Sequence, residues 1–234
     1  MRLGGTRWSR LKAKMADVAG LLWFSSRLTL GVQSVVLVLL AVGVFVVAAL
    51  GQTISSDERV FELLLELESL FFVILSMGML PREKEGRTLE VLLVCSRTRH
   101  GLLLLKFVPV CVFIAAIALA LTSAFYWLTG GGFPWLTMLY VPYLLAATLG
   151  ILTVVLTTYL RNQYAAGTMA LLIGIIVAVL WLDPVHTFYT IELNRMMLQT
   201  PPNLMINRML VAVAFGFLYD HAVRRLEHVE LWMK

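Results

Sequence analysis

The sequence predicts an all-α integral membrane protein: six transmembrane helices, an N-terminal amphipathic interfacial helix, a short cytoplasmic helix between spans 2 and 3, and short external helices between spans 5 and 6. Three observations predict it. Hydrophobic residues make up 60% of the 234 positions and charged residues 14%, against about 45–50% and about 25% in soluble globular domains. A soluble fold of this composition lacks the polar side chains to cover its own exterior, and the mean hydropathy of +0.86 agrees. Six stretches are long and apolar enough to cross a bilayer, and the cations are distributed very unevenly among the segments that join them.

A hydrocarbon core about 30 Å thick needs about 20 apolar residues in a helix. The stretches that qualify are Leu30–Leu50, Val60–Leu80, Phe107–Leu128, Trp135–Leu160, Tyr164–Leu182 and Leu204–Tyr219. The second carries acids at its start. The sixth is the shortest and contains Asn207 and Arg208, an arginine near enough to the helix end to snorkel to the headgroups. A cleaved signal peptide has an apolar region of about 7–15 residues. Leu30–Leu50 is longer and starts later, so it is expected to remain as the first span. No repeat or low-complexity tract divides the chain, and residues 1–234 are taken as one six-span domain.

Six spans put both termini on one side, and the Lys/Arg bias selects the side. Arg2, Arg7, Arg10, Lys12, Lys14 and Arg27 precede span 1. Arg82, Lys84, Arg87, Arg97, Arg99 and Lys106 lie between spans 2 and 3. Arg161 follows span 4, and Arg224, Arg225 and Lys234 follow span 6. The opposite face has only Arg59, Arg195 and Arg208. Sixteen cations against three predict a multi-pass protein of the inner or plasma membrane with both termini in the cytoplasm. The net charge of +5 is thereby a topology signal, and no nucleic-acid partner is needed to explain it.

Ahead of span 1, in residues 1–29, Trp8, Leu11, Met15, Val18 and Leu22 form one apolar stripe at helical spacing, with Arg7, Arg10, Lys12, Lys14 and Asp17 away from it. A basic amphipathic helix of this kind lies in the interface against anionic lipid. It is either a plain positive-inside anchor or a lateral helix that also touches a cytoplasmic partner.

The segment 81–101 between spans 2 and 3 alternates in charge sign, and Glu83 and Arg87 form an i,i+4 pair in the favourable order. Leu89, Leu92 and Leu93 fall on one face. The pattern predicts a short amphipathic helix, bent near Gly86, suited to a groove on another protein; the alternative is a solvated loop whose leucines rest on the membrane.

Glu83, Glu85, Gly86, Thr88, Leu89, Glu90, Leu92 and Leu93 resemble the E-x-E-x-G-T-L-E-x-L-L signature of the permease (transmembrane) subunits of type-2 ATP-binding-cassette exporters. Two departures stand out: Arg87 separates Gly86 from Thr88, and Cys95-Ser96 occupies the place where a proline often follows. The motif covers about a dozen residues, while the span count, the amphipathic N-terminus and the external segment 183–203 are similar along the whole chain. The resemblance implies that Glu83, Glu85, Gly86, Arg87, Thr88, Leu89, Glu90, Leu92 and Leu93 form a coupling helix seated on a separate cytoplasmic ATPase. It implies two ATPase copies, with ATP and Mg bound there, and a second permease half, identical or related. The cargo would be amphipathic or lipid-like. The alternative is the membrane B subunit of a haem-handling cytochrome-c-maturation complex, which carries a related signature.

Catalysis by the chain itself is not expected. A phosphate-cradling loop needs Gly-Lys-Ser/Thr, and none of Lys12, Lys14, Lys84, Lys106 or Lys234 follows a glycine. HExxH and GxSxG are absent. Cys95 and Cys111, 16 positions apart, match neither a redox pair nor a zinc site, so no cofactor or metal is assigned to this chain.

Span 2 begins with Glu62, Glu66 and Glu68. Ionisable groups at mid-bilayer cost about 2.5–3.5 kcal/mol each and are rarely idle. Glu62 and Glu66 share a face, and Glu68 points about 200° from Glu66. Glu62 and Glu66 are therefore candidates for a substrate pathway or a permease interface. The competing expectation places all three acids hydrated at outer headgroup level beside Asp57, Glu58 and Arg59. In segment 183–203, His186, Tyr189, Glu192, Arg195 and Pro201-Pro202 are expected in one or two short external helices.

Overall fold

The computed structural model describes residues 20, 32, 35–47, 57–80, 99–132, 135–160, 162–180 and 202–227. Among them there are six helices and no strand: α1 (Val35–Val47), α2 (Asp57–Met77), α3 (Arg99–Leu128), α4 (Trp135–Leu160), α5 (Gln163–Leu180) and α6 (Pro202–Glu227). The expected N-terminal amphipathic helix, residues 81–98 of the segment 81–101 with all its candidate coupling residues, and residues 183–201 of the external segment 183–203 lie outside the described residues, residue 20 excepted.

Two helical stretches, His100–Leu128 and Trp135–Leu160, are long and apolar enough to cross a membrane, at 29 and 26 residues. At 1.5 Å per residue they extend about 40 Å, beyond the hydrocarbon thickness. In both, 44% of the most apolar window is buried within the protein, and the rest is half-buried or on the outer surface. Large apolar side chains such as Leu104, Val108, Val112, Leu119 and Leu136 occupy that outer surface. Helix α2 is 21 residues long but carries Glu62, Glu66 and Glu68, three acidic residues within its apolar part.

The helices alternate in direction. Phe45 near the end of α1 meets Phe125 near the end of α3, with ring centroids 5.3 Å apart. His100 at the start of α3 meets Tyr219 late in α6 at 5.9 Å, and Phe107 meets Phe215 at 6.1 Å, so α3 and α6 are antiparallel. Tyr159 and His221 bring the ends of α4 and α6 together. Gly167, one turn into α5, packs on Val73 and Met77 at the end of α2, while Gly174 packs on Leu149 of α4. One end of the bundle therefore collects Leu80, His100, Tyr159 and His221; the other collects Phe45 and the turn between α3 and α4.

Local chemistry sets the short connections. At the end of α3, Gly130 and Gly131 take φ of 71° and 81°, a left-handed conformation that a Cβ disfavours. It lets the Gly131 amide donate back to the Tyr126 carbonyl at 2.9 Å, closing the helix. Asn162 starts α5: its Oδ1 accepts from the amides of Tyr164 and Ala165 at 2.9 and 3.3 Å, an N-cap.

The core is one cluster in which α2 and α4 share the most extensive interface. Phe71, Phe72, Leu64, Phe125, Met138 and Ile151 are fully buried. Small residues allow the close approach. A Cβ on Gly150 would stand 2.9 Å from Cδ1 of Phe72 and 3.2 Å from Oγ of Ser76, so the absent side chain of α4 is where α2 fits. Buried threonines on α4 are satisfied within their own helix: Thr153 donates to the Leu149 carbonyl at 2.8 Å and Thr157 to the Val154 carbonyl at 2.7 Å.

Candidate functional site: a buried carboxyl between the helices

The three acids of α2 occupy three different environments. Glu62 is half-buried and accepts a 3.1 Å hydrogen bond from Arg59. Glu66 is exposed. Glu68 is fully buried. The expectation that all three sit hydrated at one headgroup level therefore fails for Glu68. The helical period supplies the reason: a residue two positions on from an outward-facing one turns about 200° and faces the neighbouring helices.

Glu68 belongs to the stripe Leu64, Glu68, Phe72, Ser76, four residues at i,i+4 spacing and all buried. Phe72 is the hub of this seam. Its ring meets Tyr143 of α4 edge-on at 5.3 Å and tilts against Phe107 of α3 at 6.2 Å. Tyr143 in turn donates to the Cys111 backbone carbonyl of α3 at 2.8 Å. The stripe that carries the buried carboxyl thus packs, through Phe72, against a tyrosine whose hydroxyl already donates elsewhere.

Neither carboxyl oxygen of Glu68 has a hydrogen-bond partner among the described residues, nor has the hydroxyl of Ser76 or of Thr122. Unsatisfied buried polar groups are rare in native folds and call for a reason. An ionised carboxylate held this way costs several kcal/mol in desolvation.

A second polar cluster lies at the end of the bundle that holds Leu80 and His100. Tyr159 Oη and His221 Nε2 are 2.7 Å apart, their rings nearly parallel at 8°. The Arg225 guanidinium stands 4.1 Å over the Tyr159 ring, while Arg224 pairs with Asp220 at 2.7 Å. Lys106, grouped by sequence with the cations of the loop, is in fact inside α3 and 1% exposed, about 10 Å along the helix from Arg99. Hydropathy placed the span start at Phe107, whereas backbone hydrogen bonding carries the helix through Gly101–Lys106 without a break.

Glu62 and Glu66, the sequence candidates, are not brought to the seam; Glu68 is. A sequence signal for it existed. Residues three and four positions from Glu68 are Leu64, Leu65, Phe71 and Phe72, whereas Glu66 has Glu62 and Ser69 among its neighbours. Among the described residues no group of three or more His, Cys, Asp and Glu converges as a metal site. Comparison of the chain with protein-family models, with curated proteins and with solved structures gives no match.

Proposed function

We propose that this protein is the transmembrane subunit of an ATP-driven exporter, coupling ATP hydrolysis on a separate cytoplasmic ATPase to movement of an amphipathic or lipid-like cargo. The observation that carries the reading is the signature Glu83, Glu85, Gly86, Thr88, Leu89, Glu90, Leu92, Leu93, in the connection between α2 and α3. The alternating helix directions support it. Leu80 and His100, on either side of that connection, lie at the bundle end that also carries Tyr159, His221, Arg224 and Arg225. A basic, aromatic end suits the cytoplasmic headgroup level.

Membrane residence with six spans is part of the same proposal. Outward apolar faces support it: Val35, Leu39 and Val42 on α1, and Leu210, Val213 and Phe217 on α6, are exposed. Contiguous apolar surface of this kind is uncommon on soluble monomers. Both termini would then be cytoplasmic, with a second permease half completing the assembly.

Affinity purification of the chain from membranes of its source tests the reading. A nucleotide-binding subunit is expected to co-purify, with ATPase activity. Glu83→Lys, Glu85→Lys and Leu92→Asp are expected to release that subunit or uncouple its activity while the helix content is kept. Recovery of the chain with no ATPase subunit refutes the proposal. A haem absorption band in the purified assembly would favour the cytochrome-maturation alternative over export.

A further inference from the structure

We propose that Glu68 is a proton-binding site built into the seam between α2 and α4, loaded while the helices are packed and emptied when they part. The inference does not depend on the identity of any ATPase or cargo.

Its basis is geometric. Glu68 is fully buried, both of its oxygens lack a hydrogen-bond partner among the described residues, and its neighbours on the stripe, Leu64 and Phe72, are 0% exposed. A charge in this setting requires a counter-ion, a hydrogen-bond donor or water. Among the described residues, the ionisable groups on the helices packed against α2 do not supply one. On α4, the Tyr143 hydroxyl donates its hydrogen bond to the Cys111 carbonyl, Tyr140 is another phenol and Tyr159 is engaged with His221 at the bundle end. On α3, Cys111 offers only a thiol, and His100 and Tyr126 stand near opposite ends of the helix. Lys106, one residue before Phe107, makes no hydrogen bond to either Glu68 oxygen. On α5, residues 165–176 include no ionisable side chain. The carboxyl therefore occupies the seam as the neutral acid.

The fold also supplies a way to empty the site. The seam rests on the close approach of Phe72 and Ser76 to Gly150, a contact without a covalent or charged tie. If α2 slides or tilts away from α4, the Glu68 side of the stripe becomes accessible to water. A hydrated glutamate ionises with an ordinary pKa of about 4.3, so near neutral pH the proton leaves. Parting releases one proton and repacking takes one up. Any conformational cycle that opens this seam is thereby linked to proton exchange at one residue, and an ionised Glu68 holds the seam open until it is reprotonated.

The test uses the purified full-length protein in detergent micelles and in liposomes. Infrared spectra at neutral pH are expected to contain a protonated-carboxylic-acid carbonyl band that disappears in Glu68→Gln and persists in Glu62→Gln and Glu66→Gln. Dicyclohexylcarbodiimide, an apolar reagent across whose C=N bond a protonated carboxyl adds before rearranging to a stable N-acylurea, is expected to label Glu68 by peptide mass spectrometry. A water-soluble carbodiimide should label Glu66 instead. When denaturant opens the bundle, wild type should release about one proton per chain more than Glu68→Gln, as followed with a pH indicator. The glutamine is nearly isosteric and neutral, and helix content by circular dichroism verifies that it folds. Absence of the band in wild type, its persistence in Glu68→Gln, or equal proton release from the two proteins would each overturn the proposal.

Discussion

The Tyr143 hydroxyl donates a 2.8 Å hydrogen bond to the Cys111 carbonyl, joining α4 to α3 across 32 positions of sequence. The same ring stands edge-on to Phe72 of α2, so one side chain touches three helices. Removing only the hydroxyl, in Tyr143→Phe, should lower unfolding stability in detergent by about 0.5–1.5 kcal/mol. Tyr143→Ala also removes the ring and should cost about 3 kcal/mol or more. Denaturant titration followed by circular dichroism measures both.

Gly150 and Gly216 should respond to alanine with opposite signs. A Cβ at Gly150 meets Phe72 Cδ1 at 2.9 Å and Phe72 Cβ at 3.2 Å, whereas a Cβ at Gly216 meets nothing within 4 Å. Gly150→Ala should destabilise by about 1–3 kcal/mol through overpacking. Gly216→Ala should stabilise by about 0.5–1 kcal/mol through helix propensity. Thermal midpoints in one detergent compare them directly.

At the bundle end, Tyr159 makes three interactions: the 2.7 Å contact of its hydroxyl with His221, the stacking of its ring on the His221 ring, and the ring face under Arg225 at 4.1 Å. Tyr159→Phe keeps the ring face and should lose about 0.5–1 kcal/mol, since the site is half exposed. Tyr159→Leu removes all three and should lose about 0.5–1 kcal/mol more. A double-mutant cycle between His221→Leu and Tyr159→Leu should give a larger coupling energy than one between His221→Leu and Tyr159→Phe, which keeps the stacked ring.

The three α2 acids should separate by their effect on stability. Glu62→Gln breaks an ion pair whose partners are 71% and 40% exposed, and should change stability by less than about 0.5 kcal/mol. Glu66→Gln should do the same. Glu68→Leu replaces an unpartnered buried polar group with an apolar one of similar size, and should stabilise by about 1 kcal/mol. Destabilisation by Glu68→Leu would mean that the carboxyl has a partner in the seam.

Much of the architecture is legible in residue order. Hydropathy bounds Trp135–Leu160 as the structure does, because that helix is apolar throughout, follows a run of glycines and Pro134, and ends at Arg161-Asn162. The limits of α3 and α6 differ: α3 starts at Arg99, and α6 continues to Glu227. Helical hydrogen bonding does not stop where hydropathy falls. In the last turns of α6, Ala222, Val223 and Leu226 remain buried while Arg224 faces outward, an amphipathic pattern that a span window averages away. The site was legible in part: three acids stood out at the start of span 2, with Glu62 and Glu66 the candidates, while the one in the seam is Glu68.

The sequence by itself determined where helices can form, their apolar character and the bias of charge along the chain. Those properties are sums over neighbouring residues, and no fold is needed to evaluate them. Tertiary structure decided that α2 lies against α4, that Lys106 is inside a helix, and that Glu68 rather than Glu66 turns inward. Each depends on how far a helix rotates about its own axis. That rotation is fixed by shape: Phe72 enters the space left by the missing side chain of Gly150, and with Phe72 seated there, Glu68, one turn earlier on the same stripe, is carried into the seam.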